Sequence, residues 1–485
     1  MKLRLLVSSF FLIFAMMLLA AGCDGGSDSS TTAPLSSDNI NLIFVISPDL
    51  AYQTAGDMNP DTANLSNQGL QRSLLMATYL KEQVLGGSNV TAIYTLSPMT
   101  HLQTANDFPD MAAIEYIQQF ALLNQFDFPS EGPGTPLYTG NSYPLNVSYG
   151  SGPLPAGVET PSVPSLGCQG LDFNDADGNQ ALVMDIIDAG VPGFYVFSAP
   201  WEAIGVLLAD IDFTQGYGLN VPDTYRGSNY IYAISITQPG AAFLVTYDSD
   251  LDPPAAYPQL PAPVPPSACP AQHLFTITRT GGSDGNIVPA DINTNETVYI
   301  VRHADAHPTS EWDDGNYVGA GQWRALALPS ALQGIISPTA VYSIDPAQAI
   351  AMSEDFPGMN NMSYVRPSLT VAPYAIANDL PYYLVAEFEM NDPDSPQLTA
   401  EHFFTGGTFS NQIILLAWES GHIGPTVNAL LDSYQGSGQT APGWSHDDYD
   451  SIWTVTLDGL GNVTVTNALC EGIDSANLPA EAPQF

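Results

Sequence analysis

Residues 295–306 read NETVYIVRHADA. A polar segment gives way to four apolar residues, Val298 to Val301, and the run stops at Arg302 and His303. A short, continuous apolar run bounded in this way is the pattern of a buried strand. A cation and an imidazole directly after it stand at the carboxyl end of that strand, where open α/β sheets bind ligands. The rest of the chain is organised in relation to this point.

The second half of the chain repeats the first. Asn64, Gly69 and Arg72 correspond to Asn316, Gly321 and Arg324 with the same internal spacing. Tyr94, Pro98, Asp107-Phe108-Pro109, Met111 and Tyr116 correspond to Tyr342, Pro346, Asp355-Phe356-Pro357, Met359 and Tyr364 at one offset of 248 residues. Strand patterns at Asn41–Val45, Thr91–Leu96, Gly193–Ser198 and Tyr230–Thr237 alternate with an amphipathic helix at Leu70–Leu85. The expected fold is therefore α/β: two tandem three-layer αβα domains with mostly parallel sheets. Residues 41–251 make the first domain, with an irregular insertion at 126–180, and residues 271–485 make the second. The proline-dense stretch 252–270 reads as a semi-rigid linker.

The copies differ where chemistry would sit. Val301-Arg302-His303 faces Val45-Ile46-Ser47, and Tyr364-Val365-Arg366 faces Tyr116-Ile117-Gln118. A fold needs its Tyr and Pro in both copies, whereas only a site needs the His and both Arg in one. The first copy is thus read as degenerate and the second as carrying the site. Two guanidiniums beside an imidazole suit a tetrahedral oxyanion, because Arg presents forked donors that match phosphate oxygens.

Arg302-His303-Ala304 resembles the signature of the histidine phosphatase superfamily, which includes the phosphoglycerate mutases. The resemblance continues through Asn316–Leu332 (NYVGAGQWRALALPSAL), Val341–Pro346, Ser363–Ala377 (SYVRPSLTVAPYAIA) and Ile413–Leu431 (IILLAWESGHIGPTVNALL). It covers roughly residues 295–460, with a weaker echo over 40–240. It implies that His303 takes a phosphoryl group as a phosphohistidine, that Arg302 and Arg366 clamp its oxygens, and that no metal or other cofactor is needed. The resemblance also implies a distal histidine after the late strand. Ser420 stands in that slot, and His422 follows two residues later. Asp305 and Glu419 are the candidate general acids. The implied substrate is a small phosphorylated molecule. The alternative is an inactive phosphatase-like binding or scaffold module. A mutase fits less well, because its substrates are cytoplasmic metabolites. Arg324, paralleled by Arg72 in the copy without the site, reads as one partner of a structural ion pair.

The first 22 residues read as an export signal: Lys2 and Arg4, an apolar run from Leu5 to Leu19, then Leu19-Ala-Ala-Gly-Cys23, which resembles a bacterial lipobox. Lipid attached to Cys23 would anchor the chain to a membrane, and residues 23–40 would serve as a flexible tether. The expected location is extracytoplasmic, as a bacterial membrane lipoprotein. The chain has 50 acidic residues against 9 Lys and Arg, a formal charge of −41. Such a surface repels nucleic acid, so no nucleic-acid partner is expected. An exported chain permits disulfides. Cys269 and Cys470 bracket the second half and are the favoured pair, leaving Cys168 free.

Overall fold

Ile40–Ile46 (INLIFVI), strand β1, is buried along its whole length. Apart from the buried, hydrogen-bonded Asn41 the run is apolar, because the strand lies inside a sheet with both faces covered. The structure is a computed structural model that describes residues 32–53, 56–103, 107–124, 143–150, 154, 168–237, 240–269, 274–306, 315–350, 362–385 and 392–485. The expected signal at 1–22, Cys23 and the repeat partners at 355–359 lie outside the described residues.

From the first half come α1 (Asn67–Tyr79), β2 (Ala92–Thr95), α2 (Ala112–Leu122), β3 (Leu145–Asn146), α3 (Ala176–Ala189), β4 (Gly193–Ala199), α4 (Trp201–Gln215), β5 (Tyr230–Ile236) and β6 (Ala242–Asp248). The second half gives β7 (Thr276–Arg279), β8 (Glu296–Arg302), α5 (Gly319–Ala331), β9 (Ala340–Ile344), α6 (Arg366–Ala377), β10 (Tyr382–Val385), α7 (Ser395–Phe404), β11 (Ile413–Trp418), α8 (Ser420–Asp432), β12 (Ser451–Leu457) and β13 (Val463–Cys470). The first sheet runs β3-β2-β4-β1-β5-β6 and the second β10-β9-β11-β8-β12-β13-β7. The order is the same in both, with one extra edge strand in the second. In each, a parallel block of four strands is continued by antiparallel strands. The insertion at 126–180 is not irregular throughout, since β3 and the start of α3 fall inside it. The end of the tether is also built in: Leu35 is buried and donates its N–H to the Val84 carbonyl at 2.9 Å.

Both halves use one device to seat their first helix. Arg72 Nε meets Asp57 Oδ2 at 2.9 Å, and Arg324 Nε meets Asp305 Oδ2 at 2.6 Å. The glycine three residues before each arginine lets the helix approach closely. A Cβ on Gly69 would stand 2.1 Å from the Asp57 carbonyl oxygen, and one on Gly321 would stand 2.5 Å from that of Asp305.

Residues 34–485 form one compact unit. One hydrophobic cluster takes Ile114, Ile117 and Phe120 of α2 together with Leu328 of α5 and Leu369 and Ala372 of α6. Polar bonds cross the same boundary: Gln118 Nε2 donates to Asn316 Oδ1 at 2.9 Å, and Ser363 Oγ both accepts from the Val147 N–H and donates to its carbonyl. Cys269 is bonded to Cys470, tying the end of the proline-rich stretch to β13, and Cys168 is a buried free thiol.

Glu296 begins β8 with 1% exposure; its Oε2 accepts from Asn293 at 2.9 Å, while Oε1 is buried without a hydrogen-bond partner among the described residues. Burial pushes its carboxyl up to about 8, against a weaker lowering by Asn293. A raised carboxyl holds its proton in the folded chain, so folding loses stability as pH rises from the unfolded value to about 8. Glu296→Gln is therefore expected to melt above the parent at pH 9 and beside it at pH 4, which thermal scans at the two pH values would check.

Candidate active site

The site is built at the carboxyl ends of β8 and β11, which pair in parallel with Arg302 opposite Trp418. His303 continues that register, donating its N–H to the Trp418 carbonyl at 2.9 Å. Its ring Nδ1 lies 2.8 Å from the Ala304 carbonyl oxygen. A carbonyl only accepts, so Nδ1 carries the proton and Nε2 is the basic nitrogen of the neutral ring. Arg302 and His303 are each 2% exposed.

Arg302 is held by the carbonyls of His446 and Asp448 through Nη1, and its guanidinium carbon sits 3.9 Å above the centre of the Tyr449 ring. These contacts aim the group without saturating it. Its Nε is buried and makes no hydrogen bond among the described residues.

Arg366 opens α6 and is 1% exposed. Its N–H and that of Val365 both donate to the Gly315 carbonyl, at 3.1 and 2.9 Å. Gly315 has φ +76°, and a Cβ there would lie 2.0 Å from the Ser363 carbonyl oxygen, so this turn requires glycine. Thr370 then joins the two arginine-bearing elements. Its Oγ1 donates to the Arg366 carbonyl and accepts from the Ala304 N–H, both at 2.7 Å. Tyr364 packs between them, with its ring 6.1 Å from His303 and 5.2 Å from the Arg366 guanidinium carbon. Its hydroxyl is buried with no hydrogen-bond partner among the described residues. Burial raises its pKa well above the usual phenol, helped by Glu419 and opposed by Arg302, so it remains a donor.

Glu419 and His422 form a pair at the start of α8. Glu419 is the N-cap residue, its Oε1 accepting from the Gly421 N–H at 2.8 Å and from Ser420 Oγ at 3.0 Å. His422 Nδ1 lies 2.7 Å from Glu419 Oε2, and the His422 ring meets Trp418 edge-on at 5.9 Å. Burial alone would raise the Glu419 carboxyl, but His422, the Gly421 amide and Ser420 bring it down to about 2. Glu419 is thus a carboxylate and orients His422; it is not the proton-holding acid considered from the sequence. Ser420 occupies the expected histidine slot and is buried, with its hydroxyl turned to Glu419. Glu419→Gln should leave His422 in place but weaken its hold and the helix cap, lowering stability by about 1–2 kcal/mol. Urea unfolding beside the parent would check this.

Asp305, the other candidate acid, is held in an ion pair by Arg324. Its Oδ2 is taken by Arg324, which also binds Glu471 Oε2 at 2.7 Å, the Ile473 carbonyl at 3.1 Å and Ser475 Oγ at 2.9 Å. The structure therefore brings Arg302, His303, Arg366, Glu419 and His422 to one sheet edge and commits Asp305 to the ion pair below it. Tyr449 and Thr370 were not foreseen. Both are ordinary residues by sequence, and their roles depend on contacts made only in the fold.

No family model and no curated protein matches the chain. Among solved structures it is similar to phosphoserine phosphatase from Entamoeba histolytica in complex with 3-phosphoglyceric acid, at 13% identity and TM-score 0.25, covering 44% of this chain and 98% of that one. It is also similar to phosphoglycerate mutase from Plasmodium falciparum, at 16% identity and TM-score 0.23, covering 40% of this chain and 99% of that one.

Proposed function

We propose that this chain is a lipid-anchored extracytoplasmic phosphatase that hydrolyses a small phosphomonoester through a phosphohistidine on His303. The observation that carries this reading is the pair of buried donors beside the imidazole, Arg302 Nε and the Tyr364 hydroxyl, that have no hydrogen-bond partner among the described residues. Buried donors without acceptors cost free energy, and a bound oxyanion would relieve them. His303 Nε2 attacks phosphorus, the bond to the leaving oxygen breaks, and the phosphoryl group passes to nitrogen. Arg302 and Arg366 stabilise the charge on the non-bridging oxygens during transfer. His422, oriented by Glu419, supplies a proton to the leaving oxygen and then helps water to release phosphate.

Export is supported by the lipobox-like run ending at Cys23 and by the Cys269–Cys470 disulfide, which suits an oxidising compartment. The two halves, with one sheet order and one ion-pair device, are read as an internal duplication in which the second copy kept the site. Ser420 favours a second reading, a phosphate-binding module without turnover.

The test is phosphate release from a generic aryl phosphate by the lipid-free chain, with His422→Ala alongside. Turnover that falls about 100-fold or more in the variant supports the assignment. No turnover in the parent across a panel of phosphomonoesters, with inorganic phosphate still bound, would replace it with the binding module.

A further inference from the structure

The first half carries no His or Arg at the positions of His303 and Arg366, yet the corresponding sheet edge is not bland. Asp49 follows β1, His101 follows β2, and Asp110 immediately precedes the turn into α2. Each carboxylate spends one oxygen on the backbone: Asp49 Oδ1 accepts from the Ala51 N–H at 2.7 Å, and Asp110 Oδ1 from the Ala112 N–H at 3.0 Å. Each turns its other oxygen to the same imidazole nitrogen. His101 Nε2 lies 2.8 Å from Asp49 Oδ2 and 3.9 Å from Asp110 Oδ2. All three atoms fall within 4.8 Å of one another, the one such cluster among the described residues.

Surrounding groups fix this geometry. The His101 ring stacks on Phe173 with centroids 3.8 Å apart and planes 13° off parallel. The Asp110 N–H donates to the His101 carbonyl and to that of Pro98, both at 3.1 Å. Gln103 Nε2 donates to Asp49 Oδ2 at 3.0 Å. Asp110 is fully buried, and its Oδ2 has no hydrogen-bond partner among the described residues. Among the described residues, His101 is the only ion-pair partner of either carboxylate. Two carboxylates out of water beside one imidazole call for a compensating cation, and an orphaned carboxylate oxygen directed into the cluster needs an acceptor's counterpart.

We infer that Asp49 Oδ2, His101 Nε2 and Asp110 Oδ2 form a binding site for a divalent transition-metal ion, for which Zn²⁺ is the probe of choice. Nitrogen and oxygen ligands in one set suit Zn²⁺, which takes them at about 2.0–2.2 Å and completes four-coordination with water. Ligand atoms around such an ion stand about 3.3 Å apart, between the separations of 2.8 and 3.9 Å found here. Entry of the ion displaces the His101–Asp49 hydrogen bond, and Gln103 remains as the outer support of Asp49. The first half thus holds a cation at the sheet edge where the second half holds oxyanion-binding arginines.

The test is zinc binding by the full lipid-free chain, stripped with EDTA, desalted, and titrated calorimetrically with Zn²⁺ alone. About one equivalent should bind, with affinity at least about a hundredfold weaker in Asp110→Asn and in His101→Gln, and unchanged in His422→Ala. Far-UV circular dichroism identifies any variant that has failed to fold; Asp49→Asn then takes its place. Absence of micromolar or tighter binding by the parent would overturn the site, as would binding that survives in the cluster variants or is lost in His422→Ala.

Discussion

His303→Ala is expected to lower phosphate release by about 10⁴-fold or more, the scale on which removal of a covalent nucleophile is felt. That corresponds to a loss of about 5 kcal/mol in transition-state stabilisation. The reason is positional. The Ala304 carbonyl fixes the proton on Nδ1, at 2.8 Å, and the backbone bond to Trp418 fixes the ring's origin at the strand end. Ser47, the counterpart in the first half, follows β1 at the end of the other sheet. Folding should be little affected, because β8 keeps its ladder to β11 and β12 without the imidazole. Rates of aryl phosphate hydrolysis measured beside the thermal midpoint of the variant check both parts. A rate within about tenfold of the parent would remove His303 from the nucleophile's role.

Arg324→Leu should be the most damaging single change to stability. The guanidinium is fully buried and holds Asp305, Glu471, Ser475 and the Ile473 carbonyl. Removing it leaves two buried carboxylates with no cation, which costs about 3–5 kcal/mol in comparable clusters. A second consequence follows from the chain path. Asp305 lies two residues after His303, and its carbonyl accepts from the Val318 N–H at 3.1 Å as α5 begins. Loosening it also loosens the turn that carries His303, so the proposed turnover should fall before global unfolding. Urea unfolding of the parent, Arg324→Leu and the triple change with Asp305→Leu and Glu471→Leu separates the contributions. The single change should be worse than the triple, because the triple removes both buried carboxylates and leaves only the less buried Asp450, 3.9 Å from Arg324 in the parent. The reverse order would mean that the carboxylates are not dependent on Arg324.

Much of this architecture is legible in the sequence, for reasons that differ by element. Strands β1 and β8 show through the apolar runs Leu42–Ile46 and Val298–Val301, most of whose residues are buried in the sheets. Arg302, His303 and Arg366 stand out because the first half keeps the neighbouring tyrosines and prolines and lacks these three. The paired glycines at 69 and 321 repeat because each helix start touches the carbonyl of the aspartate that its arginine binds. Other features are invisible before folding. Tyr449 reaches Arg302 from the segment before β12, and Thr370 reaches Ala304 from the second turn of α6. Asp305 and Glu419 look alike as acids near a strand end; what separates them is whether the nearest partner is Arg324 or His422. The Asp49, His101 and Asp110 cluster joins three separate loops, and its histidine has no local partner in sequence.

The central claim is a covalent phosphoryl group on His303. It is tested most directly by mixing the lipid-free chain with aryl phosphate, quenching during turnover in alkali, where phosphohistidine survives, and locating the label by peptide mass spectrometry. The expected result is a phosphoryl group on the peptide containing His303, absent after acid treatment and absent in His303→Ala. Turnover with no label at His303, or a label on another side chain, would contradict it.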